Sequence, residues 1–211
     1  LNVPAYKIAS FEITDIPLIE LVASKKKPVI ISTGISEMED IELAIEACKR
    51  MGNFDIALLK CTSSYPAPIE EANLLMIRDM YRRFGVVTGL SDHTMGATAP
   101  IVATCMGAKI IEKHFILDRS IGGPDASFSM NEAEFTDMVQ AVRDAEKAIG
   151  KVDYNLTDKQ KKGKDFSRSL YIVEDVAEGE VLTEKNVRSI RPGFGLHPKY
   201  YQEVLGKKVK K

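Results

Sequence analysis

The sequence predicts a parallel α/β fold, a sheet or barrel of five consecutive βα units, followed by a small β-rich module. Three observations carry this. Short, nearly continuous apolar runs of β character recur at 6–10, 28–33, 56–62, 86–91 and 110–115. Stretches of helical period separate them, and the composition changes abruptly at Lys151. Continuous apolar runs are the mark of parallel strands covered on both faces, and alternation with helices supplies the crossovers that parallel pairing needs.

Each element has its local reason. In 38–52, Met38, Ile41, Ala44, Ile45 and Cys48 fall on one helical face. In 132–150, Phe135, Met138, Val139, Val142 and Ala145 do the same, and Gly150 supplies a C-terminal stop. The expected organisation is an α/β domain over 1–150, a solvated Lys- and Asp-rich linker over 151–166, and a module over 167–211 with short strands at 169–173, 178–183 and 188–193.

Composition narrows the function classes. The 211 residues carry 29 Lys and Arg against 30 Asp and Glu, a net charge of −1, which argues against a nucleic-acid partner. Three cysteines form no disulfide framework, and no apolar run approaches the roughly 20 residues that cross a bilayer. A cytoplasmic enzyme acting on small molecules is expected, with no nucleic acid and no membrane as partner.

The polar residues cluster where each apolar run ends: Ser10 and Glu12; Ser32, Thr33 and Gly34; Lys60, Thr62, Ser63, Ser64 and Tyr65; Ser91, Asp92 and His93; Glu112, Lys113 and His114. In a (β/α)₈ barrel the active site is built at that end of the strands. Side chains alternate across a strand, so Ser91 shares a face with His93, and Glu112 with His114. Two imidazoles converging from neighbouring strands suit a divalent ion, Mn²⁺ first, with Mg²⁺ or Co²⁺ as alternatives. The bland reading of a lone histidine is a hydrogen-bonded core or surface residue, but two of the chain's three histidines end adjacent runs here. Ser32-Thr33-Gly34 has the composition of a phosphate cradle, and Lys7 and Lys60 are candidates for holding phosphate or carboxylate. Gly122-Gly123-Pro124-Asp125 reads equally as a simple turn or as a loop bringing Asp125 to a polar substrate. Cys61 reads as structural, and the helical Met residues as core filler.

Six strings now stand in order: 7–13 (KIASFEI), 31–34 (ISTG), 59–68 (LKCTSSYPAP), 89–94 (GLSDHT), 111–115 (IEKHF) and 122–125 (GGPD). Together they resemble the sialic acid synthase (NeuB-like) family nearly end to end, and the strings at 9–12, 60–63 and 125–129 are most similar to its pseudaminic-acid-forming branch. From Arg168 onward the chain resembles the antifreeze-like (SAF) domain, with Arg191-Pro192-Gly193 at its characteristic position. The resemblance implies the last five βα units of a (β/α)₈ TIM barrel, then a linker and a SAF domain that is C-terminally incomplete. It implies a preceding portion with three further βα units, and catalytic silence for this piece alone.

The implied reaction is metal-assisted condensation of phosphoenolpyruvate with an open-chain 2,4-diacetamido-trideoxy-hexose, giving a nine-carbon 2-keto acid such as pseudaminic acid and phosphate. N-acetylneuraminate or legionaminate synthesis is the alternative within the class; a non-catalytic metal- or sugar-binding piece is the alternative outside it. Carried over by the resemblance, His93 and His114 are metal ligands. Lys7, Ser10, Ser32, Ser63 and Ser91 surround phosphoenolpyruvate, and Glu12 is an active-site carboxylate that orients water or stabilises a cation. Tyr65 and Asp125 face the sugar, and Arg191 reaches the partner subunit's site in a domain-swapped homodimer.

Overall fold

The computed structural model describes residues 2–210. Two compact units divide the chain at Gly150.

In the first unit, β1 (Tyr6–Ile8), β2 (Val29–Ser32), β3 (Ile56–Cys61), β4 (Val87–Asp92) and β5 (Ile111–Lys113) form one parallel sheet in sequential order. Helices α1 (Ile16–Ala23), α2 (Met38–Arg50), α3 (Leu75–Phe84) and α4 (Thr98–Cys105) are the crossovers, and α5 (Glu132–Ile149) follows the sheet. The capping of α2 and α5 is written in their sequences. Asp40 returns its carboxylate to the Glu37 N–H at 2.9 Å, and Asn131 and Glu134 form a reciprocal box. Acidic residues open α2 and Lys49 and Arg50 close it, matching the helix dipole.

The register fixes which residues share a face. Lys7 pairs with Ile30, Ser32 with Leu59, Cys61 with Ser91, and Ser91 with Glu112. One face of the sheet carries Ile8, Val29, Ile31, Ile56 and Leu58, packed with Ile19, Ala23, Ile41, Ala44, Ile45 and Cys48 of the helices into the main core. A second cluster, Leu90 with Ile77, Ala99 and Ala103, continues that layer under α3 and α4. The opposite face carries Lys7, Ser32, Cys61, Ser91 and Glu112.

The sheet is strongly curled. Five strands laid flat would separate β1 from β5 by about 19 Å, yet Lys7 Nζ lies 3.4 Å from Glu112 Oε1. The polar face is therefore concave and its two edges look at each other across it, the geometry of a partial barrel.

The structure adds one strand position that the apolar runs do not announce. Met130 bridges Phe115 in parallel, with Met130 N donating to His114 O at 3.0 Å and Ile116 N to Met130 O at 2.9 Å. A bridge this short, reached through Ser127-Phe128-Ser129, leaves no apolar run to detect.

The second unit holds an antiparallel pair, β6 (Ser169–Ile172) and β7 (Val187–Ile190). The run at 178–183 is not a strand: Gly179 takes φ +84° in a turn, and only Val181 bridges, to Lys208. The linker contains a short exposed helix, α6 (Asp158–Gly163), started by a Thr157–Gln160 capping box. Among the described residues no helix is long and apolar enough to cross a membrane.

Candidate active site

The strand ends on the concave face assemble three connected groups. The first bridges the edges of the curl. Lys7 Nζ donates to Ser32 Oγ at 2.8 Å and pairs with Glu112, whose Oε1 also accepts from Ser91 Oγ at 2.7 Å. Residues from β1, β2, β4 and β5 thus meet over the concavity.

The second group surrounds Gly34, just past β2. Its N–H donates to Ser10 Oγ at 3.0 Å. A Cβ at Gly34 would stand 2.1 Å from Ser63 Oγ, 2.8 Å from Ser10 Oγ and 2.9 Å from Cys61 Sγ, so only glycine lets these three side chains close on one point. Cys61 Sγ lies 3.9 Å from both Ser63 Oγ and His93 Nδ1. Burial raises the Cys61 thiol, but hydrogen bonds with His93, Ser10 and Ser63, together with the His93 charge, outweigh it and hold the thiol below its ordinary value.

The third group is aromatic. His93 and His114 have ring centroids 5.1 Å apart; Tyr65 lies 4.3 Å from His93, and Phe128 5.0 Å from His114. His93 is only 7% exposed, and its Nδ1 sits 2.9 Å from the Thr62 carbonyl. A carbonyl only accepts, so Nδ1 carries the proton and Nε2 is the free position. His114 Nδ1 lies 3.5 Å from Asp125 Oδ2. The surroundings move the two imidazole pKa values in opposite directions. Burial lowers His93, but contact with Cys61, the Thr62 carbonyl and the Asp92 charge leave it raised. Burial and the neighbouring His93 lower His114, against the pull of Asp125 and Glu112.

This arrangement fits two metal ligands. Imidazoles that bind metals place their other ring nitrogen on a carbonyl or carboxylate, as Thr62 and Asp125 permit here. Among the described residues no group of three or more His, Cys, Asp and Glu is gathered to hold an ion. The described residues therefore offer two imidazoles toward an ion.

Behind the histidines, on the other face of the same strands, lies a pair with a different character. Asp92 Oδ2 accepts from Lys113 Nζ at 2.6 Å, with side chains 2% and 1% exposed. Asp92 Oδ1 also accepts from the Thr94 N–H, and Lys113 Nζ donates to the Thr94 carbonyl. Every polar atom is satisfied, as a buried ion pair requires.

Of the residues singled out in the sequence, Lys7, Ser10, Ser32, Ser63, Tyr65, Ser91, His93, His114 and Asp125 all belong to these groups. Glu12 does not join them. It is exposed, and its carboxylate accepts from the Ala9 N–H at 2.8 Å, capping its own turn. Arg191 follows β7 in the second unit and is exposed there. Lys60 is buried, its amine on the Cys61 carbonyl and Thr62 Oγ1, and burial lowers its pKa. Sequence reasoning did not place Cys61 or Phe128 in the cluster; parity with Ser63 was the available signal for the former, and nothing local for the latter.

A curled parallel sheet whose C-terminal strand ends gather hydroxyls, a lysine and paired imidazoles defines part of a (β/α) barrel. The NeuB family model matches residues 1–154 and the SAF domain model residues 167–211, and the chain belongs to the NeuB family. It is 49% identical to a pseudaminic acid synthase of Helicobacter pylori over 100% of this chain and 62% of that protein. A pseudaminic acid synthase of Campylobacter jejuni is 50% identical over 98% of this chain and 60% of its own length. Among solved structures, the N-acetylneuraminic acid synthetase of Leptospira borgpetersenii superposes with a TM-score of 0.71 at 32% identity, covering 77% of this chain and 56% of that one. The chain thus spans about three fifths of the curated relatives it matches.

Proposed function

We propose that this chain supplies the strand ends at which a nonulosonic acid synthase condenses phosphoenolpyruvate with an amino-sugar aldehyde. The observation that supports it best is the Lys7–Ser32–Glu112–Ser91 network across the concavity. It puts an ammonium and two hydroxyls beside the ring pair, the group types that hold a trianionic donor by charge-assisted hydrogen bonds. Donor binding exchanges the Glu112 carboxylate on Lys7 for a phosphate or carboxylate of the substrate.

The aldehyde lies against Tyr65, Phe128 and the histidines, with Asp125 as the polar contact. Near-half identity to pseudaminic acid synthases favours a 2,4-diacetamido-2,4,6-trideoxy-altrose over N-acetylmannosamine. A divalent ion, Mn²⁺ foremost, would be held by His93 and His114 and would supply Lewis-acid stabilisation of the developing alkoxide. Ser10, Ser63 and the Gly34 N–H complete the donor's polar surround. Glu12 serves as the cap of the Ser10 turn, which keeps that hydroxyl aimed at Gly34. The same reading includes a cytoplasmic homodimer in which Arg191 of one copy serves the site of the other.

Direct titration of the chain with phosphoenolpyruvate, followed by ³¹P NMR, tests this. Saturable binding that weakens about tenfold or more in Lys7→Ala is the expected result, since loss of a charge-assisted contact costs at least about 1.4 kcal/mol. Absence of binding at millimolar donor, or equal binding by Lys7→Ala, would overturn it.

A further inference from the structure

The end of the sheet opposite the site carries a second, differently built cleft. It has a volume of about 700 Å³ and lies between the C-terminal ends of α3 and α4, at the start of β4. Its walls include Arg78, Tyr81, Arg82, Val87, Met106 and Lys109. Arg78, Tyr81 and Arg82 stand three and four residues apart on α3 and so share one helical face, and Lys109 joins from the segment that leads into β5.

None of these three cations has an ion-pair partner among the described residues, and no carboxylate lines the cleft. The one acid on α3, Asp79, is engaged by Arg83 on another face. Helix C-termini attract basic residues through the helix dipole, and that accounts for some of this charge. Two half-charges at the ends of α3 and α4 are nevertheless outweighed by three full ones around a single concavity. Like charges held together with no counter-charge disfavour the fold unless an anion is bound. The remaining surface is apolar, with Val87 and Met106 as floor and Tyr81, 62% exposed, as an open ring face.

We propose that this cleft is a binding site for a phosphate-bearing small molecule with a planar apolar ring, of nucleotide size. The volume falls in the range of small-molecule sites. Paired guanidinium groups match phosphate oxygens in forked geometry, with Lys109 adding a point charge, and the ring rests on Tyr81 between the arginine stems. The site is separate from the strand-end cluster. Val87 and Asp92 are the two ends of β4, so the cleft and the histidines lie about 16 Å apart along that strand. The proposal does not depend on the synthase reading.

The experiment is a titration of the ¹⁵N-labelled chain with AMP, with inorganic phosphate in parallel. AMP is expected to shift the amides of Arg78, Tyr81, Arg82 and Lys109 saturably, and phosphate alone to do so with lower affinity. Arg78→Glu/Arg82→Glu should weaken AMP about tenfold or more, while Lys7→Ala leaves it unchanged. Tyr81→Ala keeps the charges and should abolish the preference for AMP over phosphate. Absence of saturable shifts at these amides, or equal AMP affinity in the double variant and in Lys109→Gln, would overturn the proposal. Shifts confined to the strand-end cluster would overturn it equally.

Discussion

Residues 91–93 and 112–114 run off the ends of the neighbouring strands β4 and β5, and their alternate side chains meet opposite fates. On the concave face, Ser91 donates to Glu112 at 2.7 Å and His93 to the Thr62 carbonyl at 2.9 Å, but the Lys7–Glu112 and His114–Asp125 contacts are longer, at 3.4 and 3.5 Å, and His114 and Glu112 remain half-exposed. One residue away on the other face, Asp92 and Lys113 are sealed in a short, fully satisfied ion pair. The difference teaches how this fold separates work from support. The outer pair ties β4 to β5 beside the histidines, so the half-exposed inner groups Glu112 and His114 stay available to ligands.

That comparison breaks most sharply at the outer pair. Lys113→Met strands a buried carboxylate and should cost about 3–5 kcal/mol in a urea unfolding experiment. Asp92→Leu/Lys113→Met should restore most of that loss, because a well-packed apolar pair replaces the ions without an orphaned charge. A single variant as stable as the parent would show that the pair is not what joins the strands.

Gly34→Ala comes next. Its methyl group would overlap Ser63 Oγ, Ser10 Oγ and Cys61 Sγ, and overpacking of this kind costs about 1–3 kcal/mol. Fluorescence-monitored unfolding measures it, and the same variant should weaken phosphoenolpyruvate binding. On the inner face, His114→Ala should cost about 1 kcal/mol or less, since it removes a single long contact with a carboxylate, and His93→Ala should cost more, because a buried ring packed on Tyr65 and its contacts with the Thr62 carbonyl and Cys61 are lost. Both should abolish Mn²⁺ binding as read by electron paramagnetic resonance, and retention of parent-like affinity would remove the ion from the account.

The smallest effect belongs to Glu134. The Arg119 hydrogen bond and the Asn131 N–H hold its carboxyl below the ordinary value. A depressed carboxyl contributes stability above its unfolded pKa, and that contribution fades as pH falls through its folded pKa. Glu134→Gln should therefore lower the melting temperature slightly at neutral pH, with the difference vanishing in acid.

Much of this was legible before any coordinates. The face of α2 follows from the spacing of Ile41, Ala44, Ile45 and Cys48, all of which are buried, whereas Met38 in the first turn of the same stripe is 42% exposed. Parity alone placed Ser91 with His93 and Glu112 with His114 on one face, and the register agrees. Contacts created by curvature were not legible. Nothing near Lys7 or Glu112 announces that two edges of the sheet meet, because the approach depends on the accumulated twist of five strands. Local bonds also hid themselves. Glu12 reads in the sequence as a site carboxylate, and no local pattern announces that its turn also brings the Ala9 N–H to it. The helix at Asp158–Gly163 lacks an apolar face, yet Thr157 and Gln160 spell its capping box.

The central claim is that the two faces of these strand ends divide ligand binding from stability. The direct measurement is phosphoenolpyruvate affinity and urea midpoint, taken side by side for Lys7→Ala and for Asp92→Leu/Lys113→Met. The account predicts that Lys7→Ala loses about tenfold or more in affinity with an unchanged midpoint, and that the outer double variant keeps its affinity to within about threefold whatever its midpoint does. An outer variant that folds but no longer binds, or a Lys7→Ala chain that binds as tightly as the parent, would contradict it.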